Sequence, residues 1–122
     1  PKEQAIFDAV LGILNETPTK PPVLHDLAKV IDQTPKDVEK ALNQVVKTGQ
    51  LVKPVKNRYF LPKTIETLKL HLNEAADENK QFTVKQYRDV AGTGRNLAIE
   101  ILEYFDRTGV TRRIGDLRQI VE

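Results

Sequence analysis

The chain contains no cysteine and no serine among its 122 residues. Without cysteine there are no disulfide staples and no thiolate metal ligands, so any small folded unit must be held by packing. The two commonest nucleophiles are missing, and no G-x-x-x-x-G-K-[ST] phosphate loop occurs, which leaves catalysis to carboxylates and histidine. His25 and His71 lie far apart, lack metal-ligand spacing and sit among helix-favouring residues, so they read as satisfied or solvated side chains. Asp77 with Glu78, and Glu100 with Glu103, read as solvated helix faces. The expectation is a chain with no catalytic site, no metal and no cofactor of its own.

Long apolar runs are also absent. None approaches the roughly 20 residues that cross a bilayer, and 30% of the residues are charged, so no membrane partner is expected and a cytoplasmic location is. The sequence opens at Pro1 within helix-favouring residues and shows no signal or transit peptide, which reads as a C-terminal piece cut from a longer protein. A strong net charge is missing too: nineteen basic residues against seventeen acidic leave +2, too little for a global field that attracts nucleic acid. Distribution says more. Six of the seven arginines (Arg88, Arg95, Arg107, Arg112, Arg113 and Arg118) fall in the last 35 positions. A guanidinium fork grips phosphate or guanine with two bonds and stacks on bases, which lysine does not do, so the arginine-rich end is the expected contact surface.

The chain repeats itself at a shift of sixty positions without a gap. Leu27 falls on Tyr87, Leu42 on Leu102, Val45 on Phe105, Thr48 on Thr108, Gly49 on Gly109 and Arg58 on Arg118. Two copies are too few for a solenoid, so each unit of about 60 residues is expected to close its own core. Residues 1–62 and 63–122 are the expected domains.

Each copy reads as helix, helix, turn, helix and a two-stranded hairpin. In the first, Ile6, Val10, Ile13 and Leu14 recur at helical spacing before a Pro- and Thr-rich breaker. A short helix over 23–31 follows, then a helix capped by Thr34, opened by Pro35 and stopped at Gly49. Leu51 to Val55 and Arg58 to Leu61 are β-prone runs around a polar turn. In the second, a helix from Lys63 carries Ile65, Leu68, Leu72 and Ala75. Thr83 caps a short helix, Ala91-Gly92-Thr93-Gly94 is the turn, and Leu97 to Phe105 builds the third helix to Gly109. Two β-prone runs then flank Ile114-Gly115-Asp116. Helix-turn-helix followed by a hairpin is the winged-helix plan, in which the helix after the turn meets nucleic acid and the wing reaches neighbouring backbone. The expected fold is therefore mainly α with small β hairpins, as two tandem winged-helix domains.

The start of the second unit's third helix is the sharpest local feature. Gly92, Thr93 and Gly94 precede Arg95 and Asn96, and a helix N-terminus offers unpaired N–H groups and partial positive charge to phosphate. Two readings of the glycines stand: they permit the tight turn, or they let a ligand backbone come close. Leu97 at the third-glycine position, after a helix rather than a strand, argues against a dinucleotide fingerprint. The wing supplies Arg112, Arg113 and Arg118. Adjacent strand residues face opposite sides, so one of Arg112 and Arg113 is expected to point away, toward Asp106 or Asp116. A solvated, salt-bridged hairpin is the plainer reading of the same charges. Phe105 reads as core, and Tyr104 as core edge or partner surface.

Phe82-Thr83-Val84, Tyr87-Arg88-Asp89, Gly92-Thr93-Gly94-Arg95 and the run from Leu102 to Asp116 (LEYFDRTGVTRRIGD) carry a further signal. The chain resembles the C-terminal end of the bacterial selenocysteine-specific elongation factor (SelB) family, most strongly over the second unit and mainly in pattern over the first. That resemblance implies that the second winged helix binds the selenocysteine insertion (SECIS) hairpin of a messenger RNA, supporting selenocysteine incorporation at UGA codons. It implies that the first is a connecting arm, and that a GTPase lies in domains absent here. Carried over by position, Thr93, Gly94, Arg95 and Asn96 at the helix start and Arg112, Arg113 and Arg118 on the wing are the expected RNA-binding residues of a monomer. Asn96 departs from the family pattern, which often places a basic residue there. An A-form stem hides its base edges, so a small domain is expected to grip stem phosphates and read unpaired bases. The rivals are a double-stranded DNA regulator and a protein interaction module. In the first unit Lys47, Lys53, Lys56 and Arg58 form a modest basic wing with two readings, a contact to the ribosome (its RNA) or to the same message, and a solvated structural spacer, of which the spacer is the plainer.

Overall fold

A computed structural model describes residues 1–121; Glu122, the last residue of the second expected domain, lies outside the described residues. The chain divides into two compact units, Pro1–Ile65 and Glu66–Glu122. The first holds α1 (Lys2–Glu16), α2 (Leu24–Val30), α3 (Pro35–Lys47), β1 (Val52–Val55) and β2 (Arg58–Phe60). Then come α4 (Pro62–Ala75), β3 (Gln81–Phe82), α5 (Val84–Ala91), α6 (Arg95–Arg107), β4 (Thr111–Ile114) and β5 (Leu117–Ile120). The division falls within α4, and the expected boundary after residue 62 stands at that helix's first residue. Among the described residues no helix is long and apolar enough to cross a membrane.

The sixty-residue repeat survives in three dimensions. Helices α3 and α6 begin and end sixty positions apart, and the glycine after each, Gly49 and Gly109, takes φ of +81° and +83°. Side chains with β-carbons avoid that region, so glycine is what lets the chain leave the helix for the wing. In the first unit Phe7, Val10, Leu14, Leu27, Leu42 and Tyr59 form the buried centre. In the second unit Leu72, Phe82, Tyr87, Leu102 and Phe105 are buried. Tyr87 replaces the Leu27 of the first copy; its ring lies 5.9 Å from that of Phe82 and its hydroxyl donates to the Leu68 carbonyl at 2.9 Å. A buried phenol needs such an acceptor, because an unpaired hydroxyl loses its water without compensation.

One element was not anticipated from the sequence. β3 adds a third strand to the second unit's wing, in the order β3-β5-β4, with Gln81 opposite Gln119 and Phe82 opposite Arg118. The first unit has only β1 and β2 in its sheet. Sixty positions before Gln81 and Phe82 stand Pro21 and Pro22, which have no N–H with which to join a ladder. The Pro21 carbonyl instead accepts a bond from Arg58 Nη1. In the second wing β4 and β5 close around the two residues Gly115 and Asp116, with Ile114 opposite Leu117. Gly115 takes φ of +59°, the conformation that favours glycine at the first position of such a turn.

Candidate nucleic-acid interface

The two third helices start differently. At α3 the Thr34 hydroxyl accepts from the Asp37 N–H at 3.2 Å, and Asp37 adds an acidic group to the first turn. The Lys2 ammonium bonds that carboxylate and, with Thr34, holds its pKa below the usual value. That helix start is capped from within the chain. At α6 the N-cap is Gly94, which has no side chain to cap with, and the first turn carries no acid. Its first N–H groups carry no side-chain cap, an arrangement that suits a helix start to an anion.

The two readings of the glycines now separate. Gly92 ends α5 in the left-handed region at φ +73°, its N–H on the Arg88 carbonyl at 2.9 Å, so the turn itself calls for glycine there. Gly94 has φ −70° and ψ 163°, extended backbone open to any residue, and a β-carbon on it meets nothing within 4 Å. Neither conformation nor internal packing calls for glycine at 94. Its small size keeps the mouth of α6 open. Thr93 between them is buried, and its Oγ1 has no hydrogen-bond partner, so its side chain is not presented at the helix start as expected.

Strand register sorts the wing arginines. Arg113 lies directly opposite Arg118, and Arg112 opposite Gln119; directly opposed residues share a face of the sheet. Arg113, Arg118 and Phe82 therefore share the face that continues into the core. Arg112 shares the other face with Gln119 and Gln81, whose amides meet at 3.4 Å. Arg112 is thus the wing arginine turned away from Arg113 and Arg118. The expected ion pair to Asp106 exists, but Arg118 makes it: its Nη2 donates to Asp106 Oδ2 at 3.0 Å. Arg118 is only 5% exposed, so it is an internally paired cation rather than a free one. The correction follows from strand parity, because Arg118 falls on the inward face beside the end of α6. Arg113 is exposed, with its Nε on the Gly115 carbonyl at 3.2 Å.

Helix start and wing nevertheless meet. Arg95, Arg113 and Arg118 line one open concavity of about 300 Å³ with Thr83, Val84, Lys85, Gly115 and Asp116. Its charge is mostly cationic, with the Asp116 carboxylate as the exception. Asn96 is exposed beside Arg95 and Arg112 is exposed on the wing, but neither lines it. Lys85 was missed by sequence reasoning. The signal was available: Thr83 and Gln86 form a reciprocal capping box at the start of α5, which places Lys85 in that helix's first turn. Tyr104, left open above, is half-buried with the Arg107 guanidinium 5.9 Å from its ring centre. Among the described residues no group of three or more His, Asp or Glu side chains is placed to hold a metal.

Comparison with known proteins agrees across sequence and structure. The family model described as "Elongation factor SelB, winged helix" matches residues 74–120. The selenocysteine-specific elongation factor of Escherichia coli K12 is 32% identical over 115 residues, covering 94% of this chain and 18% of the relative. That of Haemophilus influenzae is 37% identical over 70 residues, 57% of this chain and 11% of the relative. The chain therefore spans less than a fifth of the length of these relatives. Among solved structures, the mRNA-binding domain of elongation factor SelB from E. coli, in complex with SECIS RNA, superposes with a TM-score of 0.89 at 31% identity. That match covers 98% of this chain and 97% of the other.

Proposed function

The chain belongs to the selenocysteine-specific elongation factor (SelB) family, and from that premise we propose that its second winged helix binds the SECIS hairpin of a selenoprotein messenger RNA. The observation that carries this reading is the concavity in which Arg95, from the mouth of α6, and Arg113 and Arg118, from the wing, come together. An uncapped helix start and a guanidinium wing are both suited to phosphate. A recess between them suits RNA, whose unpaired bases can leave the stack while the stem is held by its backbone. Gly94 and Arg95 act at the helix mouth, Arg113 reaches into the recess, and Asn96 and Arg112 meet the RNA at its margins. Thr93 contributes through backbone position.

The first unit serves as the connecting arm, with a capped helix start that leaves it less to offer an anion and with ribosome contact as its further role. The whole factor is a GTPase through domains outside this chain. It works as a monomer in the cytoplasm, bringing its cargo to a recoded UGA codon. A competition assay tests the reading: a labelled SECIS hairpin displaced by unlabelled SECIS hairpin, an unrelated hairpin and duplex DNA at one salt concentration. Selective displacement by the SECIS hairpin is expected. Preference for duplex DNA makes the chain a DNA regulator, and failure to bind any of the three makes it a protein interaction module.

A further inference from the structure

We propose that Asp106 is a positioning residue for the RNA grip, holding Arg118 and both wing strands against the end of α6 so that Arg113 and Arg95 face one recess; this rests on the RNA-binding reading above. Register places Arg113 and Arg118 directly opposite each other, and like charges so placed repel. Arg118 is buried besides, and a buried guanidinium without a counter-charge is strongly unfavourable. Asp106 resolves both problems. Its Oδ2 accepts from Arg118 Nη2 at 3.0 Å and its Oδ1 from Thr111 Oγ1 at 2.7 Å. One carboxylate in the last turn of α6 thus ties down β5 through Arg118 and β4 through Thr111. With Nη2 engaged, the Arg118 Nε is buried without a hydrogen-bond partner, in a side chain that lines the recess.

The first unit shows that a wing of this kind folds without the device. Sixty positions before Asp106 stands Val46, and Arg58, the counterpart of Arg118, donates to the Pro21 carbonyl instead. The carboxylate therefore goes with the unit whose helix mouth is open.

The sign of one substitution separates positioning from plain electrostatics. Asp106→Asn removes a negative charge beside a cationic recess, which by long-range attraction alone tightens RNA binding. Positioning requires the reverse. In anisotropy titrations of a labelled SECIS hairpin, Asp106→Asn is expected to weaken binding about tenfold. In an Arg118→Met background the same change should matter less than about twofold, since coupled residues lose their effect together. Thermal unfolding checks that each variant is folded. Equal or tighter binding by Asp106→Asn overturns the proposal. Failure of the unsubstituted chain to bind the hairpin is a different result, which removes the RNA reading and the positioning role with it. Should Asp106→Asn fail to fold, Thr111→Val, which removes only the bond from β4 to that carboxylate, decides: weakened hairpin binding supports the proposal, and unchanged binding refutes it.

Discussion

Arg95 and Arg112 are both exposed guanidiniums of the second unit, yet the geometry assigns them unequal effects on RNA binding. Arg95 opens α6 and lines the recess, and none of the ion pairs among the described residues engages it. Arg112 sits on the far face of the wing, opposite Gln119. Each phosphate neutralised contributes roughly 0.7 to 0.9 to the slope of log affinity against log salt. Arg95→Ala should flatten that slope by this amount. A charge-assisted hydrogen bond is worth about 1.5–3 kcal/mol, so the affinity loss at low salt should be roughly tenfold or more. Because the lost term is the salt-dependent one, the advantage of the unsubstituted chain over Arg95→Ala should shrink about threefold between roughly 50 and 200 mM salt. Arg112→Ala, which removes a contact only at the margin of the recess, should flatten the slope by distinctly less than Arg95→Ala does. Anisotropy titrations of both variants at four or more salt concentrations measure these quantities directly. Equal slope losses from the two variants, or a loss from Arg112→Ala alone, would refute the assignment of the recess as the phosphate-gripping face.

Two further outcomes follow from the same geometry. Gly94→Ser gives α6 the side-chain cap that Thr34 supplies to α3, so it should stabilise the fold by a few tenths of a kcal/mol and raise the melting temperature slightly. The same change narrows the helix mouth and should weaken hairpin binding several-fold; a variant that binds as well as the parent shows that RNA does not approach there. Alkaline stability reports on the two buried phenols. Burial, with the Glu39 charge second, pushes the Tyr59 pKa from 10.0 up to about 12, and burial raises that of Tyr87 as well. The folded state holds these protons more tightly than the unfolded chain. Stability should be intact below pH 10 and should decline as pH rises from there through about 12, in melts followed by circular dichroism. Flat stability across that window contradicts the burial.

Much of this protein is written in short-range pattern. The spacing of Val10, Leu14, Leu42 and Leu102, the caps at Thr34 and Thr83, and the stops at Gly49 and Gly109 determine helices and their ends, because each depends on residues within a turn or two of one another. The sixty-residue repeat determines that the plan is used twice. The alternation of strand side chains determines that Arg112 and Arg113 part company. It does not say which one turns inward. That choice belongs to the pairing of β4 with β5, which sets Arg113 against Arg118 and so carries both toward the recess. Tertiary structure also decided that Asp106 pairs with Arg118, twelve positions on, rather than with either neighbouring wing arginine. It decided that two residues, Gln81 and Phe82, form a strand. A two-residue strand has no period to read, and an ion pair across two elements has no sequence spacing of its own; both exist only once distant backbone has been brought into register.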